Sequence, residues 1–197
     1  LGDEEEERIQ QGVVLRRLGA RCFELTEGDG PRRKVEAAPN ETTARLRTVE
    51  TDEARLELRW QGDRLQEAEE HSSQGPVRYR FVYDATGHLT QVLRTQRDGT
   101  RRVAAYEYDH PGHLIVSHNA EGGCYRFAYD DAHRWTKAWD PNGYSFWWTY
   151  DADGRCVESS GEDGLWWTRF EYDFEKRETR VTERKGGVST FRYDENL

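Results

Sequence analysis

Tyrosine followed by aspartate recurs at an almost constant interval from residue 83 onward. The six pairs are Tyr83-Asp84, Tyr108-Asp109, Tyr129-Asp130, Tyr150-Asp151, Tyr172-Asp173 and Tyr193-Asp194. Successive tyrosines lie 25, 21, 21, 22 and 21 residues apart, and self-similarity at a fixed period is the mark of a repeat architecture. The chain is therefore expected to consist of one small unit used repeatedly.

A second aromatic residue stands two positions before each of these tyrosines. These residues are Phe81, Tyr106, Phe127, Trp148, Phe170 and Phe191. Aromatic, variable, aromatic is the period-two pattern of a β-strand with one apolar face. The residues between the two aromatics are Val82, Glu107, Ala128, Thr149, Glu171 and Arg192. This mixture predicts that the opposite face of the strand is wet.

The aspartate of each pair begins a turn signal. Three units have the form Asp-x-x-Gly, namely Asp84 to Gly87, Asp109 to Gly112 and Asp151 to Gly154. Aspartate at the first position of a type I turn accepts hydrogen bonds from the amides of the turn, and glycine supplies the positive φ of a G1 bulge. The units that start at Asp130 and Asp173 lack this glycine. Their turns should be left-handed at another residue or of a different type.

A basic residue opens the strand that follows each turn. It is His88, His113, Arg134 or Arg155, and we expect it to be a solvent-facing cation. Further glycine turns close the units near Gly99, Gly122, Gly143, Gly164 and Gly186. Each period thus holds two turns and two strands of about 5 to 6 residues. The predicted fold is all-β, with tandem antiparallel β-hairpins that form a curled or spiralling strip.

The composition suits such a strip only because of where the aromatics stand. Of the 197 residues, 35% are hydrophobic and 34% are charged, a composition that by itself favours disorder. Aromatic residues make up 12%, which argues against disorder because disordered chains contain few of them. Aromatics placed on one face can supply most of the burial while the rest of the chain stays charged. The net charge of −9, with arginines interspersed among acidic residues, argues against nucleic acid as a partner.

The repeats divide the chain into two regions. Residues 60–197 form the repeat region, with a degenerate first unit at Trp60, 23 residues before Tyr83. Residues 1–59 form a non-repeating, largely β lead-in, in which residues 4–18 are the one candidate helix. The sequence has no apolar run of the roughly 18 to 20 residues needed to span a bilayer and no signal peptide at its start. It contains no methionine, which favours an excised piece of a longer polypeptide.

The repeated units resemble the YD repeats of Rhs (rearrangement hot spot) proteins, a group that includes the C components of insecticidal toxin complexes and the teneurins. The stretch from Phe146 to Cys156 is especially similar to bacterial Rhs cores. The resemblance implies a hollow β-shell around a C-terminal polymorphic toxin, used in interbacterial competition through type VI secretion. It also implies a secreted or cell-surface location. The implied partners are the remainder of the shell, the toxin, and secretion-spike proteins or chaperones. This chain is too short for a closed shell.

No catalytic residue, cofactor or metal is expected. An active site is needed once, whereas the aspartate recurs in the same turn six times, so capping of the turn is favoured over a hydrolase that uses paired carboxylates. A metal set of His110, His113, His118 and Cys124 is conceivable, but His113 aligns with the basic position of the other units. Cys156 aligns with Leu89 and Leu114 and is interpreted as a small buried hydrophobe.

Six of the seven tryptophans lie within 33 residues and are the candidates for contact with a ligand or partner. They are Trp135, Trp139, Trp147, Trp148, Trp166 and Trp167. Adjacent pairs must point to opposite faces of a strand, so one member of each pair leaves the main aromatic face. Contact with another part of a shell is favoured, and an extracellular module that binds glycan or protein is the alternative. Exposed strand edges predict self-association.

Overall fold

Consecutive strands of the chain pair side by side, as the repeated hairpins require. The structure is a computed structural model that describes residues 6–9, 13–37 and 43–194, and it divides into one unit of residues 1–103 and another of residues 104–197. The strands of the first unit are β1 (Glu6–Ile9), β2 (Val13–Arg17), β3 (Cys22–Glu27), β4 (Arg32–Ala37), β5 (Ala44–Glu50), β6 (Ala54–Gln61), β7 (Arg64–Ser72), β8 (Val77–Tyr83) and β9 (Leu89–Gln96). From β1 to β9, each strand pairs antiparallel with the next.

The second unit continues the same pattern. Strand β10 (Gly99–Tyr108) crosses the division at residue 103. The strands that follow are β11 (Leu114–His118), β12 (Cys124–Tyr129), β13 (Trp135–Trp139), β14 (Ser145–Tyr150), β15 (Cys156–Gly161), β16 (Thr168–Asp173), β17 (Glu178–Glu183) and β18 (Val188–Arg192), with a short 3-10 turn at Glu162–Gly164. Each of these strands is again antiparallel to its neighbour in sequence. The predicted all-β fold of tandem antiparallel hairpins is confirmed.

The prediction of a helix within residues 4–18 is wrong for the part of that segment that the structure describes. There the chain forms β1 and β2, and Leu15 of β2 lies opposite Leu25 of β3. The valines at positions 13 and 14 have stiff, branched side chains that favour a strand over a helix. Pairing with β3 then satisfies the backbone of this segment in the sheet.

Burial is shallow throughout the described residues. The hydrophobic residues that are buried are small or medium-sized, namely Ala68, Val77 and Ala105, and no large side chain is fully buried. The paired aromatics of the repeats are half-buried, except that Phe191 on β18 remains 60% exposed. Packing of the aromatic side chains on one another therefore replaces a deep aliphatic core.

The side of the sheet that carries the repeated tyrosines is called here the tyrosine face. On the opposite face, Glu107, Thr149 and Glu171 are exposed, as the alternation predicts. Val82 and Ala128 occupy the same position in their units and are half-buried. At this position of the repeat, the opposite face is therefore wet in the units that have a polar residue there and apolar in the two that carry Val82 and Ala128.

Candidate functional site

In five of the six repeats, the aspartate caps its own turn. In the first full unit, Oδ1 of Asp84 accepts hydrogen bonds from the backbone N–H groups of Thr86 (2.9 Å), Gly87 (2.7 Å) and His88 (2.9 Å). The backbone N–H of Asp84 donates to the carbonyl of His88 at 3.0 Å and closes the turn. Corresponding Oδ1 contacts to turn amides are made by Asp109, Asp130, Asp151 and Asp173.

Left-handed backbone completes these turns. Glycine supplies it at Gly87 (φ 100°), Gly112 (φ 95°) and Gly154 (φ 86°). In the two units without glycine, the left-handed residues are His133 (φ 63°) and Arg177 (φ 53°). Of the two alternatives expected for these turns, a left-handed residue other than glycine is found in both, at the glycine position in His133 and one position later in Arg177.

Hydrogen bonding keeps the turn aspartates ionised. The hydroxyl of Thr86 and the turn amides lower the pKa of Asp84 from 3.8 to about 2. The backbone N–H of Arg134 lowers the pKa of Asp130, and that of Arg155 lowers the pKa of Asp151. A general acid near neutral pH needs a raised carboxyl pKa, so these groups are suited to capping and not to proton transfer.

The arginines after the turns of Asp130 and Asp151 are not the solvent-facing cations that were expected, whereas Arg177 in the same position is exposed. The Arg134 guanidinium binds Oδ2 of Asp130 through Nε and Nη2, both at 2.8 Å. Its central carbon lies 4.7 Å from the ring centroid of Tyr150 in the next repeat. Arg155 likewise pairs with Asp151 and lies over the ring of Tyr172. The basic side chain therefore joins the cap of one turn to the tyrosine of the next repeat.

The repeated tyrosines form a second connection between repeats. Their hydroxyls donate to the backbone carbonyl of the residue that follows the basic position of the preceding unit. The pairs are Tyr83 to Leu65 (2.8 Å), Tyr129 to Leu114 (3.0 Å), Tyr150 to Trp135 (2.7 Å) and Tyr172 to Cys156 (2.7 Å). Burial raises the pKa of Tyr150 and of Tyr172. The recurrence of tyrosine, and never phenylalanine, at this position in the six full units is the sequence signal for these bonds.

Trp60 occupies the tyrosine position of the degenerate unit. Its indole N–H donates to the backbone carbonyl of Leu46 at 2.8 Å. This bond corresponds to those that the tyrosine hydroxyls make in the later repeats. Arg64 then lies over the ring of Tyr83, at 5.7 Å from the centroid. The division of the chain into residues 1–59 and 60–197 stays a prediction, because β6 runs across it without a break.

Three of the candidate tryptophans lie on the tyrosine face. Trp135 stacks on Phe127 with ring centroids 5.3 Å apart and contacts Trp148 at 6.0 Å. Trp166 has a left-handed backbone (φ 52°), stacks on Phe146 at 5.8 Å and is still 73% exposed. These rings mainly contact other aromatics of neighbouring strands.

The other three candidates lie on the opposite face. Trp147 is paired with Lys137 across β13 and β14, and the Lys137 ammonium lies 4.8 Å from the ring centroid of Trp139. Trp167 has the Arg169 guanidinium over its ring at 5.6 Å. The six tryptophans therefore do not form one common surface, and their role in ligand or partner contact stays a prediction.

The imagined metal set of His110, His113, His118 and Cys124 is not assembled. The described part of the chain contains no group of three or more His, Cys, Asp or Glu side chains placed to hold a metal ion. Instead, Nε2 of His113 lies 2.6 Å from Nδ1 of His133 in the next repeat. Sequence reasoning missed this pair, although a separation of 20 residues, close to one repeat, is the signal that could have found it.

Two further expectations concerned single positions. The Cys156 thiol is half-buried, and burial raises its pKa, as expected for a packing residue and not for a nucleophile. Asp140 begins an ordinary turn in which its Oδ1 accepts the N–H groups of Asn142 and Tyr144, both at 2.9 Å. Gly143 closes that turn with φ 90°. This geometry is that of the glycine turn expected near Gly143.

Comparison with known proteins places this arrangement in a family. The teneurin YD-shell family matches residues 43–160. The chain is 28% identical over 186 residues to "Double-stranded DNA deaminase toxin A" of Burkholderia cenocepacia (strain H111). The aligned region covers 92% of this chain and 12% of that protein. It is 33% identical over 85 residues to "Probable deoxyribonuclease RhsA" of Dickeya dadantii (strain 3937). Here the aligned region covers 43% of this chain and 6% of that protein.

Solved structures are similar as well. A chain in the crystal structure of TcdB2-TccC3-Cdc42 superposes with a TM-score of 0.49 and 11% identity, over 88% of this chain and 12% of that chain. This chain thus spans 12% or less of the length of the relatives described here. Since the family match covers more than half of the sequence, the chain belongs to the teneurin YD-shell family of Rhs-type YD-repeat proteins.

Proposed function

We propose that this chain is a non-enzymatic wall segment of an Rhs-type shell that encloses a C-terminal toxin and helps to deliver it in interbacterial competition. The observation that carries the proposal is the repeated connection between units, in which a tyrosine of one repeat binds a backbone carbonyl of the repeat before it. Such contacts build a continuous wall from units that are each too small to be stable alone.

The chemistry of the repeats favours a structural role over catalysis. The oxygens of the turn aspartates are occupied by turn amides and by the basic residue of the same unit. Their lowered pKa values keep them ionised at neutral pH. Repetition of the same arrangement suits a wall, in which no one of the described turn aspartates is set apart from the others.

The proposed partners are the remainder of the shell and a C-terminal toxin. The names of two relatives, a DNA deaminase toxin and a probable deoxyribonuclease, support a toxin as the enclosed partner. Secretion-spike proteins or chaperones, a type VI route, a secreted or cell-surface location and self-association through strand edges belong to the same proposal. Among the described residues, no helix has the length and apolar character needed to cross a membrane.

The test uses the full-length protein that contains this chain. Replacing Tyr129, Tyr150 and Tyr172 together by phenylalanine removes three successive hydroxyl-to-carbonyl bonds. The C-terminal domain should then become sensitive to limited proteolysis, and killing of competitor cells in co-culture should fall. Tyr144→Phe, at a more exposed tyrosine outside the repeat position, is the matched control and should leave both unchanged. A C-terminal domain that is equally sensitive in the unaltered protein would contradict enclosure.

A recognition module is the second candidate, and the exposure of Trp166 favours it. This ring is 73% exposed although it is stacked on Phe146, and an exposed, held aromatic ring is a platform for stacking. Glycan-array binding that disappears in Trp166→Ala and persists in Trp147→Ala would support this alternative. Absence of array binding by the intact chain would rule against it.

A further inference from the structure

Two imidazole rings from neighbouring repeats meet on the tyrosine face. Nε2 of His113 lies 2.6 Å from Nδ1 of His133, and the ring centroids are 4.8 Å apart. At this distance only one of the two nitrogens can carry a proton towards the other. The lone pair of the second nitrogen then points into the same small space.

The orientation of His113 is fixed from three sides. Its Nδ1 lies 2.9 Å from Oδ2 of Asp109, and its backbone N–H donates to Oδ1 of the same carboxylate at 2.8 Å. Its ring lies parallel to that of Tyr129, with a centroid distance of 4.5 Å and an interplanar angle of 12°. Its side chain is 17% exposed. A carboxylate on the far nitrogen is how proteins commonly orient a histidine that binds a metal.

His133 is placed where the repeat normally has glycine. Its φ of 63° is left-handed, a conformation that is unfavourable for a residue with a side chain. The corresponding turns at Gly87 and Gly154 avoid that cost. The imidazole is exposed, so it can turn about its side-chain bonds while the backbone stays in place.

An open cleft of about 430 Å³ adjoins the two rings. Its lining includes Asp109 and Asp131 as well as both histidines. The charged groups that face the pair are the carboxylates of Asp109, Asp130 and Asp131, of which Asp130 is held by Arg134. The cleft gives room for water molecules beside the imidazole nitrogens, and its carboxylates favour a cation there.

We propose that Nε2 of His113 and Nδ1 of His133 bind a divalent transition-metal ion of the zinc class, with water completing its coordination. Imidazole nitrogen is a preferred ligand of zinc, copper and nickel ions. With zinc–nitrogen bonds of about 2.0–2.1 Å, a tetrahedral ion needs the two nitrogens about 3.3 Å apart. The exposed His133 ring supplies this small movement. Two protein ligands make the site an exchangeable one, distinct from the closed four-ligand sites that hold domains together.

Binding displaces the proton that lies between the rings. The metal takes the lone pairs of His113 Nε2 and His133 Nδ1, and His133 exchanges its Nδ1 proton with water for one on its other nitrogen, Nε2, so that both rings stay neutral. The bond between His113 Nδ1–H and Asp109 stays in place. Binding of zinc should therefore weaken as the solution becomes more acidic, because protons compete for the same nitrogens.

The experiment titrates zinc chloride into the metal-free chain, without any affinity-tag histidines, by isothermal titration calorimetry near neutral pH. His113→Arg introduces the residue found at the same position in the units of Arg134 and Arg155. His133→Gly introduces the residue found in the turns of Gly87 and Gly154. Both variants therefore resemble neighbouring repeats and should fold. Each should weaken zinc binding by roughly tenfold or more. His110→Gln and His118→Gln are the matched controls and should bind as the unaltered chain does.

A second measurement does not depend on variants. On addition of one equivalent of zinc, nuclear magnetic resonance should shift the imidazole nitrogen signals of His113 and His133 and leave those of His88 and His118 in place. Failure of the unaltered chain to bind one equivalent of zinc would overturn the proposal. Equal binding by the chain and by its His113→Arg and His133→Gly variants would overturn it as well.

Discussion

The hydroxyl of Tyr150 donates a hydrogen bond to the backbone carbonyl of Trp135, one repeat earlier, at 2.7 Å. The same tyrosine ring lies under the guanidinium of Arg134, the residue next to that carbonyl. One aromatic side chain therefore contacts both the backbone and the cation of the preceding unit. The contact explains why the repeat uses tyrosine, with its hydroxyl, where phenylalanine would fill the space.

Removal of this hydroxyl in Tyr150→Phe should lower the free energy of unfolding by about 1 kcal/mol, the usual contribution of one such bond. The ring and its contact with Arg134 remain, so the loss of stability should come only from the missing hydrogen bond to the carbonyl of Trp135. Urea denaturation followed by tryptophan fluorescence measures it. Tyr144→Phe, at a tyrosine that is 53% exposed, is the control. Equal stability of the two variants would contradict the role given to the hydroxyl.

The turn at Asp84 should make stability depend on acid. The pKa of this carboxyl is about 2 in the folded chain, below its ordinary value of 3.8. A carboxylate with a lowered pKa stabilises the fold fully above its unfolded value, and this contribution is lost as the pH falls through the folded value. The free energy of unfolding should therefore decrease between about pH 4 and pH 2, and less steeply in Asp84→Asn.

Denaturation midpoints measured at several pH values check this dependence. Asp98→Asn, at an exposed carboxylate of another turn, is the matched control and should keep the full slope. A slope that is the same in Asp84→Asn and in the unaltered chain would show that the cap does not contribute.

Replacement of the turn glycines by alanine should lower the stability of the fold by different amounts. Gly154→Ala imposes a left-handed backbone on a residue with a side chain, which costs about 1–2 kcal/mol. Gly87→Ala should cost somewhat more, because its added Cβ would also displace the Arg64 guanidinium from its position over the Tyr83 ring. Thermal denaturation ranks the variants. Gly19→Ala, where no atom lies within 4 Å of the added Cβ, should be close to neutral.

Lysine is expected to be a poor substitute for the basic residue of the repeat. In Arg134→Lys the charge is kept, but the planar group that binds Asp130 through two nitrogens and covers Tyr150 is lost. Stability should fall by about 0.5–1 kcal/mol, and the difference should shrink at high salt. Arg80→Lys, at an exposed arginine outside this position, should show no such loss when both are measured by urea denaturation.

Much of the repeat could be predicted because its contacts are local. The Asp151 cap lies within five residues of sequence, and the alternation around Trp148 follows from the geometry of a strand. The left-handed backbone at His133 was one of the two alternatives expected for the same reason, since a turn without glycine must still close. These features need only the spacing of residues within one unit.

The contacts between repeats could not be predicted because they depend on how one unit lies against the next. The basic position was interpreted as solvent-facing since nothing in its own unit covers it, whereas the ring over which Arg155 lies belongs to Tyr172. The pair of His113 and His133 was missed for this reason too. Before Trp60 the period is lost, and β2 was taken for part of a helix although its partner strand β3 follows directly.

The most direct test of the central claim is electron cryomicroscopy of the full-length protein that contains this chain. We expect the repeats of residues 83–194 to form part of the wall of a hollow shell, with density for the C-terminal domain inside it. A structure in which these repeats lie outside any enclosure, with the C-terminal domain exposed to solvent, would contradict the proposed function.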